Sequence, residues 1–453
     1  MNSSKLLNYL KLENSSLPNI KITGGKTDSR KIREGEIFFA YKGNNVDGNN
    51  FIEEAFKNGA AIVFTSNISF VKNNRIIFVK NLTQCLLKVA EFWLRHFNPI
   101  KIAITGSNGK TTLKDTVTNV LEREFGKNSV ISNEGNQNNQ IGVPLNILKL
   151  NKKHKYAVFE LGMNSIGEIS TLSKILKPNY SVITNIGTAH IGELGSQENI
   201  LKAKIEIVDG MDSTGILLLD SEDKFANRIK FLLKEKLIIK DIGSTGLVNV
   251  KWVIQDKIFY KLEYNKTNLQ FNLKKQYGKH LFKIFAFSGL IAILLNVKNI
   301  NIKKTIESFL PLEGRQKIIN LSKNISLIDD SYNANYESMI AAINYLNTFN
   351  NNKIIIFGEI GELGKFSAQI HMKIAKYIHN NFTGIVIGFG IQTQVFETIL
   401  KDSFFYTQNH DQIIKKLHAI TGKKSCTLLF KGSRLNKLDI VIKEFVNHYK
   451  EEI

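Results

Sequence analysis

Residues 105–112 read Thr105-Gly106-Ser107-Asn108-Gly109-Lys110-Thr111-Thr112, between an apolar run at 101–105 and a helical pattern at 111–123. A strand, a glycine-rich turn and a helix in this order form the context in which such a segment binds phosphate. The two glycines allow a tight turn that directs backbone N–H groups at an anion, and the helix N-terminus adds its positive dipole end. The segment therefore predicts an α/β domain that binds a nucleotide.

Two side chains of this loop have the chemistry that nucleotide binding requires. Lys110 supplies a cation for the outer phosphates, and Thr111 supplies a hydroxyl for Mg²⁺. The usual phosphate loop has a further glycine where this chain has Ile104, so the loop is a shorter variant. The alternative is an ordinary glycine turn with a surface lysine, which the combination of strand, loop and helix disfavours.

The chain divides into three blocks at Pro99 and Pro311, which predicts domains at 1–98, 99–310 and 311–453. Apolar runs alternate with helical patterns and predict an α/β fold, with a parallel, doubly wound sheet in the second block and another open sheet in the third. Residues 247–273 predict an antiparallel appendage, and Thr83 is the predicted cap of a helix ending at Phe97. Strands are predicted at 37–40, 61–64, 101–105, 156–161, 181–185, 215–219, 325–329, 353–358, 384–387 and 426–430.

Charge, cysteine content and hydropathy disfavour several classes of protein. The net charge of +21, from 61 basic and 40 acidic residues, raises the hypothesis of nucleic-acid binding, but the lysines are scattered rather than clustered. Two cysteines are too few for a disulfide framework or a four-cysteine zinc site. The most apolar stretch, 284–297, is shorter than the ~20 residues of a membrane span, so we expect no span and a cytoplasmic location.

Three further polar side chains lie at or beyond the ends of predicted strands. Glu160 ends the strand at 156–161, His190 follows the strand at 181–185, and Lys204 lies in a helix after it. Open parallel sheets bind ligands at the carboxyl ends of their strands. A carboxylate and a hydroxyl suit Mg²⁺, whereas imidazole is a less usual ligand for it. Taken singly, each residue has a structural alternative: a solvated carboxylate, a hydrogen-bonded histidine and a surface lysine.

The loop at 105–112 resembles the ATP loop of the Mur ligase family, and the segments around Glu160 and His190 match that family at their downstream spacing. The most specific match is Asp329-Asp330-Ser331-Tyr332-Asn333-Ala334-Asn335, which favours the branch that adds a dipeptide. Other matching segments cover nearly the whole chain, at 28–30, 42–43, 135–144, 185–204, 358–364 and 431–434.

This resemblance implies an α/β fold of three domains: a central P-loop, parallel-sheet ATPase domain between a small N-terminal α/β domain for the UDP moiety and a C-terminal Rossmann-like domain. The implied reaction uses ATP and Mg²⁺ to phosphorylate the terminal carboxylate of UDP-N-acetylmuramoyl-tripeptide. The amine of D-alanyl-D-alanine then attacks the acyl phosphate and gives the UDP-pentapeptide precursor of peptidoglycan. By the same resemblance, the protein is expected to be monomeric, while the scattered lysines predict no nucleic-acid partner.

The resemblance also assigns roles by position. Lys110, Glu160, His190 and Lys204 are the implied catalytic residues, and Thr111, Glu160, His190 and Lys204 are the implied metal-binding residues. Many members carry the lysine at the position of Lys204 as a carbamate. The residues expected to reach ATP from the third domain, beside the loop at 105–112, are Arg315, Asp330, Asn333 and Asn335. The implied substrate-binding residues are Ser29, Arg30, Lys42, Asn138, Asn139, Lys431, Ser433 and Arg434, with His371 as a further candidate.

Two departures and three alternatives accompany this interpretation. Leu281 and Ile284 stand where the family commonly has asparagines that contact adenine, and Tyr336 stands where proline is usual. One alternative is a Mur-type ligase that adds a single amino acid, or an enzyme like folylpolyglutamate synthetase. A basic P-loop ATPase that binds nucleic acid is a second alternative, from a different class, and predicts salt-sensitive stimulation by nucleic acid. A non-catalytic binding protein on the same scaffold is the third.

Overall fold

The computed structural model describes residues 1–12, 17–243, 249–255, 257–264, 267–273, 277–421 and 425–451. The described strands form four sheets, and each sheet is built from one continuous section of the chain. The α/β fold predicted from the sequence is confirmed. The domain boundaries at 98/99 and 310/311 stay predictions.

The first sheet is parallel and lies in the N-terminal block, with strand order β1-β2-β3-β4. The prediction that Thr83 caps the helix ending at Phe97 was wrong. The side chain of Asn81 caps this helix by accepting the backbone N–H of Gln84. The elements are α1 Ser3–Leu10, β1 Gly24–Lys26, β2 Glu36–Phe39, α2 Ile52–Lys57, β3 Ile62–Thr65, β4 Ile76–Phe78 and α3 Leu82–Phe97.

The second sheet is parallel, with strand order β10-β9-β8-β5-β7-β6. The chain adds β6 and β7 on one side of β5 and β8 to β10 on the other, so the order reverses beside β5, where open sheets bind ligands. The elements are β5 Ile100–Thr105, α4 Lys110–Phe125, β6 Val130–Ser132, α5 Gly142–Ile147, β7 Tyr156–Glu160, α6 Glu168–Leu176, β8 Tyr180–Ile183, α7 Ile191–Leu194, α8 Gln197–Ile205, β9 Ile216–Asp220, α9 Ala226–Leu233 and β10 Ile238–Ile242.

A small antiparallel sheet follows, formed by β11 Asn249–Gln255, β12 Lys257–Tyr264 and β13 Thr267–Asn272. It confirms the predicted appendage, of which residues 247, 248, 256, 265 and 266 lie outside the described ranges. Two helices complete the block, α10 Lys279–Leu294 and α11 Asn299–Glu307. Helix α10 is apolar on nearly all sides because it packs between α4, α11 and the helix α12 (Tyr336–Leu346), which belongs to the next block. No helix in the described ranges is long and apolar enough to cross a membrane.

The fourth sheet has the order β14-β15-β19-β16-β17-β18 and is parallel except at β14. Its elements are β14 Lys317–Asn320, β15 Ile325–Asp329, α12 Tyr336–Leu346, β16 Asn352–Gly358, α13 Ser367–Asn381, β17 Ile385–Phe389, α14 Glu397–Leu400, β18 Phe404–Thr407, α15 His410–Thr421, β19 Cys426–Lys431 and α16 Leu438–Glu451. Helix α12 begins in a capping box between Asn335 and Ser338, so Tyr336 in place of proline leaves the helix start intact.

We expect Phe285→Ala to destabilise the second block by about 3–5 kcal/mol, the usual cost of truncating a buried aromatic side chain. Phe285 is 0% exposed in α10, and its ring contacts those of Phe309 and Tyr277 at centroid distances of 5.1 and 6.1 Å. The measurement is urea unfolding followed by fluorescence and circular dichroism. Phe231→Ala, at a side chain that is 70% exposed on α9, is the matched control, and equal shifts for both variants would contradict this packing.

Candidate active site

A cavity of about 950 Å³ opens between the second and third blocks, and its walls come from both. The phosphate loop, the ends of β7 and β8 and the start of α10 line one side. The other side is formed by residues of the third block, including Arg315, Asp330, Asn335 and Glu362. Carboxyl ends of strands from two sheets therefore face one cleft, as expected for an open-sheet ligand site.

The phosphate loop is held against the end of β8 by a small set of hydrogen bonds. The Thr184 hydroxyl donates to the Asn108 carbonyl at 2.6 Å, and the Asn108 N–H donates to Asn185 Oδ1 at 3.0 Å. Gly106 has a φ of 145°, and a Cβ there would lie 1.8 Å from Thr184 Oγ1. Strand β8 ends at Ile183 rather than at the predicted residue 185, because Asn185 bonds to the loop. Contacts within the protein therefore define the path of the loop.

Lys110 begins α4 and lies among charges of both signs. Its ammonium donates to the Gly106 carbonyl at 2.8 Å. Burial lowers the pKa of Lys110 from its ordinary value, the carboxylates of Glu160 and Glu362 oppose that shift, and the positive charge of Arg315 adds to it. A bound polyanion would relieve the repulsion between the two cations, so the charge pattern suits phosphate.

Glu160 has the features of a metal ligand. The residue is 1% exposed, its Oε1 accepts from the Asn138 amide at 2.9 Å, and its Oε2 is buried without a hydrogen-bond partner. An orphaned buried carboxylate oxygen is costly unless a cation or donor meets it. The described residues contain no cluster of three or more His, Cys, Asp or Glu side chains that could hold a metal alone. Mg²⁺ therefore fits here if the Thr111 hydroxyl and phosphate oxygens complete its ligands.

His190 and Glu362 face each other across the cleft. His190 has a left-handed backbone with a φ of 64°, and its Nδ1 lies 3.0 Å from Glu362 Oε2. The imidazole and the carboxylate are thus in close polar contact. The nearby imidazole holds the pKa of Glu362 below its usual value. The contact ties the loop after β8 to the third block.

Three more polar contacts join the second and third blocks at the phosphate loop. Arg315 Nη2 donates to Thr111 Oγ1 at 3.0 Å, and Asn335 Nδ2 donates to Asn108 Oδ1 at 2.8 Å. Glu337 Oε2 accepts from both the N–H and the hydroxyl of Thr188, at 3.0 and 2.8 Å. Each contact ends on the phosphate loop or on the loop that carries His190, so the position of the third block determines the geometry of both.

Asp330 and Lys431 form a buried ion pair beside these contacts. The Lys431 ammonium lies 2.7 Å from Asp330 Oδ2 and also donates to the Asn333 carbonyl at 3.1 Å. Burial raises the pKa of Asp330, and the charge of Lys431 opposes that shift. Asp330, Asn333 and Lys431 all line the cleft.

Lys204 lies in α8 and is only 2% exposed, although it is absent from the cleft lining. Burial and the positive charge of Lys110 lower the pKa of Lys204 well below its ordinary value. Burial without a countercharge favours the neutral amine. Lys204 therefore differs from a surface lysine, its structural alternative, in both its burial and its lowered pKa.

Several predicted site residues instead hold loops and helix ends. The hydroxyl of Thr105 donates to the Leu161 carbonyl, Asn139 Oδ1 accepts the N–H groups of Ile141 and Gly142, and Ser433 Oγ accepts the Gly361 N–H. His371 is 0% exposed, and its ring bridges the Ile360 N–H and the Ser367 carbonyl at 3.1 and 2.8 Å. Arg434 pairs with Asp439 at 3.2 Å. None of these predicted site residues lines the cleft.

The three predicted residues of the N-terminal block also lie away from the cleft. The Ser29 hydroxyl donates to Glu54, Arg30 pairs with Asp28 at 2.9 Å, and Lys42 is exposed. Their assignment to the UDP moiety stays a prediction.

Sequence reasoning missed three residues that shape the site. Asn185 lies within a matching segment, but nothing in that pattern indicated its bond to the phosphate loop. Glu337 and Asn133 carry no motif at all; Glu337 bonds to Thr188, and Asn133 bonds to the main chain of Glu160. Their partners are 149 and 27 residues distant in sequence, so only the folded chain reveals them.

Family comparisons match three successive parts of the chain. Residues 21–91 match "Mur ligase family, catalytic domain", residues 104–322 match "Mur ligase middle domain", and residues 314–434 match "Mur ligase, glutamate ligase domain". These parts cover the first sheet, most of the phosphate-loop sheet with its loop, and the last sheet in turn.

Similar proteins match over nearly the full length. A UDP-N-acetylmuramoyl-tripeptide–D-alanyl-D-alanine ligase of Buchnera aphidicola subsp. Baizongia pistaciae is 33% identical over 96% of this chain and 95% of its own. The similarly named ligase of Bacillus subtilis is 30% identical over 96% and 95%.

Solved structures of similar proteins have the same fold as this chain. MurF from Acinetobacter baumannii has a TM-score of 0.88 at 28% identity and covers 98% of both chains. MurF ligase from Thermotoga maritima in complex with ADP has a TM-score of 0.84 at 26% identity, covering 95% of this chain and 98% of that one. The resemblance that the motifs predicted is confirmed, and the chain belongs to the Mur ligase family.

Proposed function

We propose that this protein is an ATP-dependent amide ligase that adds D-alanyl-D-alanine to UDP-N-acetylmuramoyl-tripeptide and forms the UDP-pentapeptide precursor of peptidoglycan. The observation that carries the proposal is the full-length similarity to ligases of that name, combined with a phosphate-loop cleft between two α/β blocks. Action as a monomer in the cytoplasm is part of the proposal.

The proposed chemistry solves a simple problem of reactivity. A carboxylate is a poor electrophile, and phosphorylation by ATP converts one of its oxygens into a leaving group. The dipeptide amine then attacks the acyl carbon, the amide bond forms, and phosphate leaves with the former carboxylate oxygen. Each cycle therefore consumes one ATP and releases ADP and phosphate.

The cations of the cleft are placed to stabilise phosphoryl transfer. Lys110 and Arg315 approach the phosphate loop from opposite blocks, so a triphosphate between them would meet positive charge on two sides. Glu160, Thr111 and His190 are the residues proposed to hold Mg²⁺, which supplies charge neutralisation when bound. The contacts of Asn335, Glu337 and Glu362 to the second block hold the two walls of the cleft together.

The direct test is phosphate release by the purified protein with ATP, Mg²⁺ and UDP-N-acetylmuramoyl-tripeptide, with and without D-alanyl-D-alanine. We expect release that depends on the dipeptide, with a UDP-pentapeptide product seen by mass spectrometry. Release with a single amino acid instead would move the assignment to a sister ligase. Stimulation by nucleic acid without the UDP substrate would favour the basic ATPase alternative.

We expect Lys110→Ala to abolish most ligase turnover, because each lost charge-assisted hydrogen bond to phosphate is worth roughly 1.5–3 kcal/mol. Steady-state kinetics and ADP binding by calorimetry measure the effect. Lys152→Ala removes an exposed lysine of the same block outside the cleft and is the matched control. Unchanged ATP turnover in Lys110→Ala would contradict the role of the loop.

We expect Lys204 to carry a carbamate in the active protein. Burial lowers the pKa of Lys204 and so favours its neutral amine, which can attack CO₂ to form an N–C bond with release of one proton. Protein equilibrated with ¹³C-bicarbonate should show a carbamate resonance that is missing from Lys204→Gln. Lys202→Gln, exposed on the same helix, is the control. A resonance that persists in Lys204→Gln would place the carbamate elsewhere.

A further inference from the structure

The main chain of Glu160 is held by one side chain just beyond the edge strand of the second sheet. Strand β6 pairs with β7 as far as Ser132, and Asn133 follows it. Asn133 Oδ1 accepts the Glu160 N–H at 3.0 Å, and Asn133 Nδ2 donates to the Glu160 carbonyl at 2.9 Å. Asn133 is 1% exposed, so its amide continues the strand ladder in a dry environment where such bonds are strong.

A buried lysine holds Asn133 in turn. Lys114 lies in α4, one helical turn after Lys110, and it is 3% exposed. Its ammonium donates to the Asn133 carbonyl at 2.7 Å and lies 3.0 Å from Asp115 Oδ1. A buried ammonium is costly unless it is compensated, and here Asp115 and the Asn133 carbonyl compensate it, which fixes Asn133 to α4. Lys114 does not line the cleft and therefore has no access to phosphate.

These bonds connect the phosphate-loop helix to the proposed metal carboxylate. Lys110 and Lys114 lie at positions i and i+4, which share one face of a helix. The charge of Glu160 acts on the pKa of Lys110, and Lys114 bonds to Asn133, which holds the Glu160 main chain. The Asn138 amide occupies Glu160 Oε1, which leaves the unpartnered Oε2 as the oxygen free to meet a cation.

We propose that Asn133 and Lys114 are positioning residues that orient Glu160 so that its unpartnered Oε2 can meet Mg²⁺ bound with a nucleotide. The inference rests on the proposed use of ATP and Mg²⁺. Partners that orient a metal ligand typically change metal affinity by about 10- to 100-fold when they are removed. Loss of either residue should therefore weaken metal binding while the phosphate loop keeps its own contacts.

The test uses Asn133→Ala and Lys114→Met in the full chain. We expect the Mg²⁺ concentration for half-maximal turnover to rise about 10- to 100-fold, with kcat largely restored at saturating Mg²⁺. Binding of Mn²⁺ in the presence of ADP, followed by electron paramagnetic resonance, should weaken by a similar factor. Ser173→Ala is the control, because it removes a buried hydrogen bond elsewhere in the same block, from the Ser173 hydroxyl to the Ile207 carbonyl. It should shift neither metal readout.

The outcomes separate the inference from the proposed function. If the unmodified protein binds no Mn²⁺ with ADP, the proposed function itself fails. If it does, but both variants keep the same metal affinity while their melting temperatures fall, the two residues are merely structural and the inference is overturned. Lys114→Met replaces a buried charge by an apolar chain of similar length, so it keeps the test decisive if Asn133→Ala fails to fold.

Discussion

The contact between the phosphate loop and the end of β8 is the constraint on which the site depends. Gly106 leaves no space for a Cβ against Thr184, and the Thr184 hydroxyl fixes the Asn108 carbonyl. Because this contact sets the path of the loop, it also sets where α4 begins and where Lys110 points. Asn108 then meets Asn335 of the third block, so the same contact positions the interface between the two blocks.

Charged groups of both signs from the two blocks line the cleft between them. Lys110, Arg315 and Lys431 bring positive charge to the cleft, and Glu160, Asp330, Glu337 and Glu362 bring negative charge. Some of these groups are paired, as Lys431 is with Asp330, while Lys110 and Arg315 repel each other. A cleft with two facing cations and the unpartnered Oε2 of Glu160 is suited to an anion that carries a metal ion.

The sequence could predict those parts of the fold and site that depend on local patterns. The apolar runs gave strands within one or two residues of those observed, because strands buried on both faces read as continuous apolar segments. Six of the observed strands, β1, β4, β6, β10, β14 and β18, were not predicted. Other shortfalls occur where tertiary contacts override local ones. Asn185 leaves its predicted strand to bond with the phosphate loop, and Asn81 rather than Thr83 caps α3.

The amino-acid sequence by itself determined the family, the phosphate loop and the polar residues at strand ends, because these are encoded in short motifs with fixed spacing. Only the tertiary structure decided which of those residues share the cleft. It separated Lys431 and Asn138, which line the cleft, from Ser433 and Asn139, which support loops. It also brought Asn133, Lys114 and Glu337 to the site, because hydrogen bonds between distant segments follow from packing and leave no periodic signal in the chain.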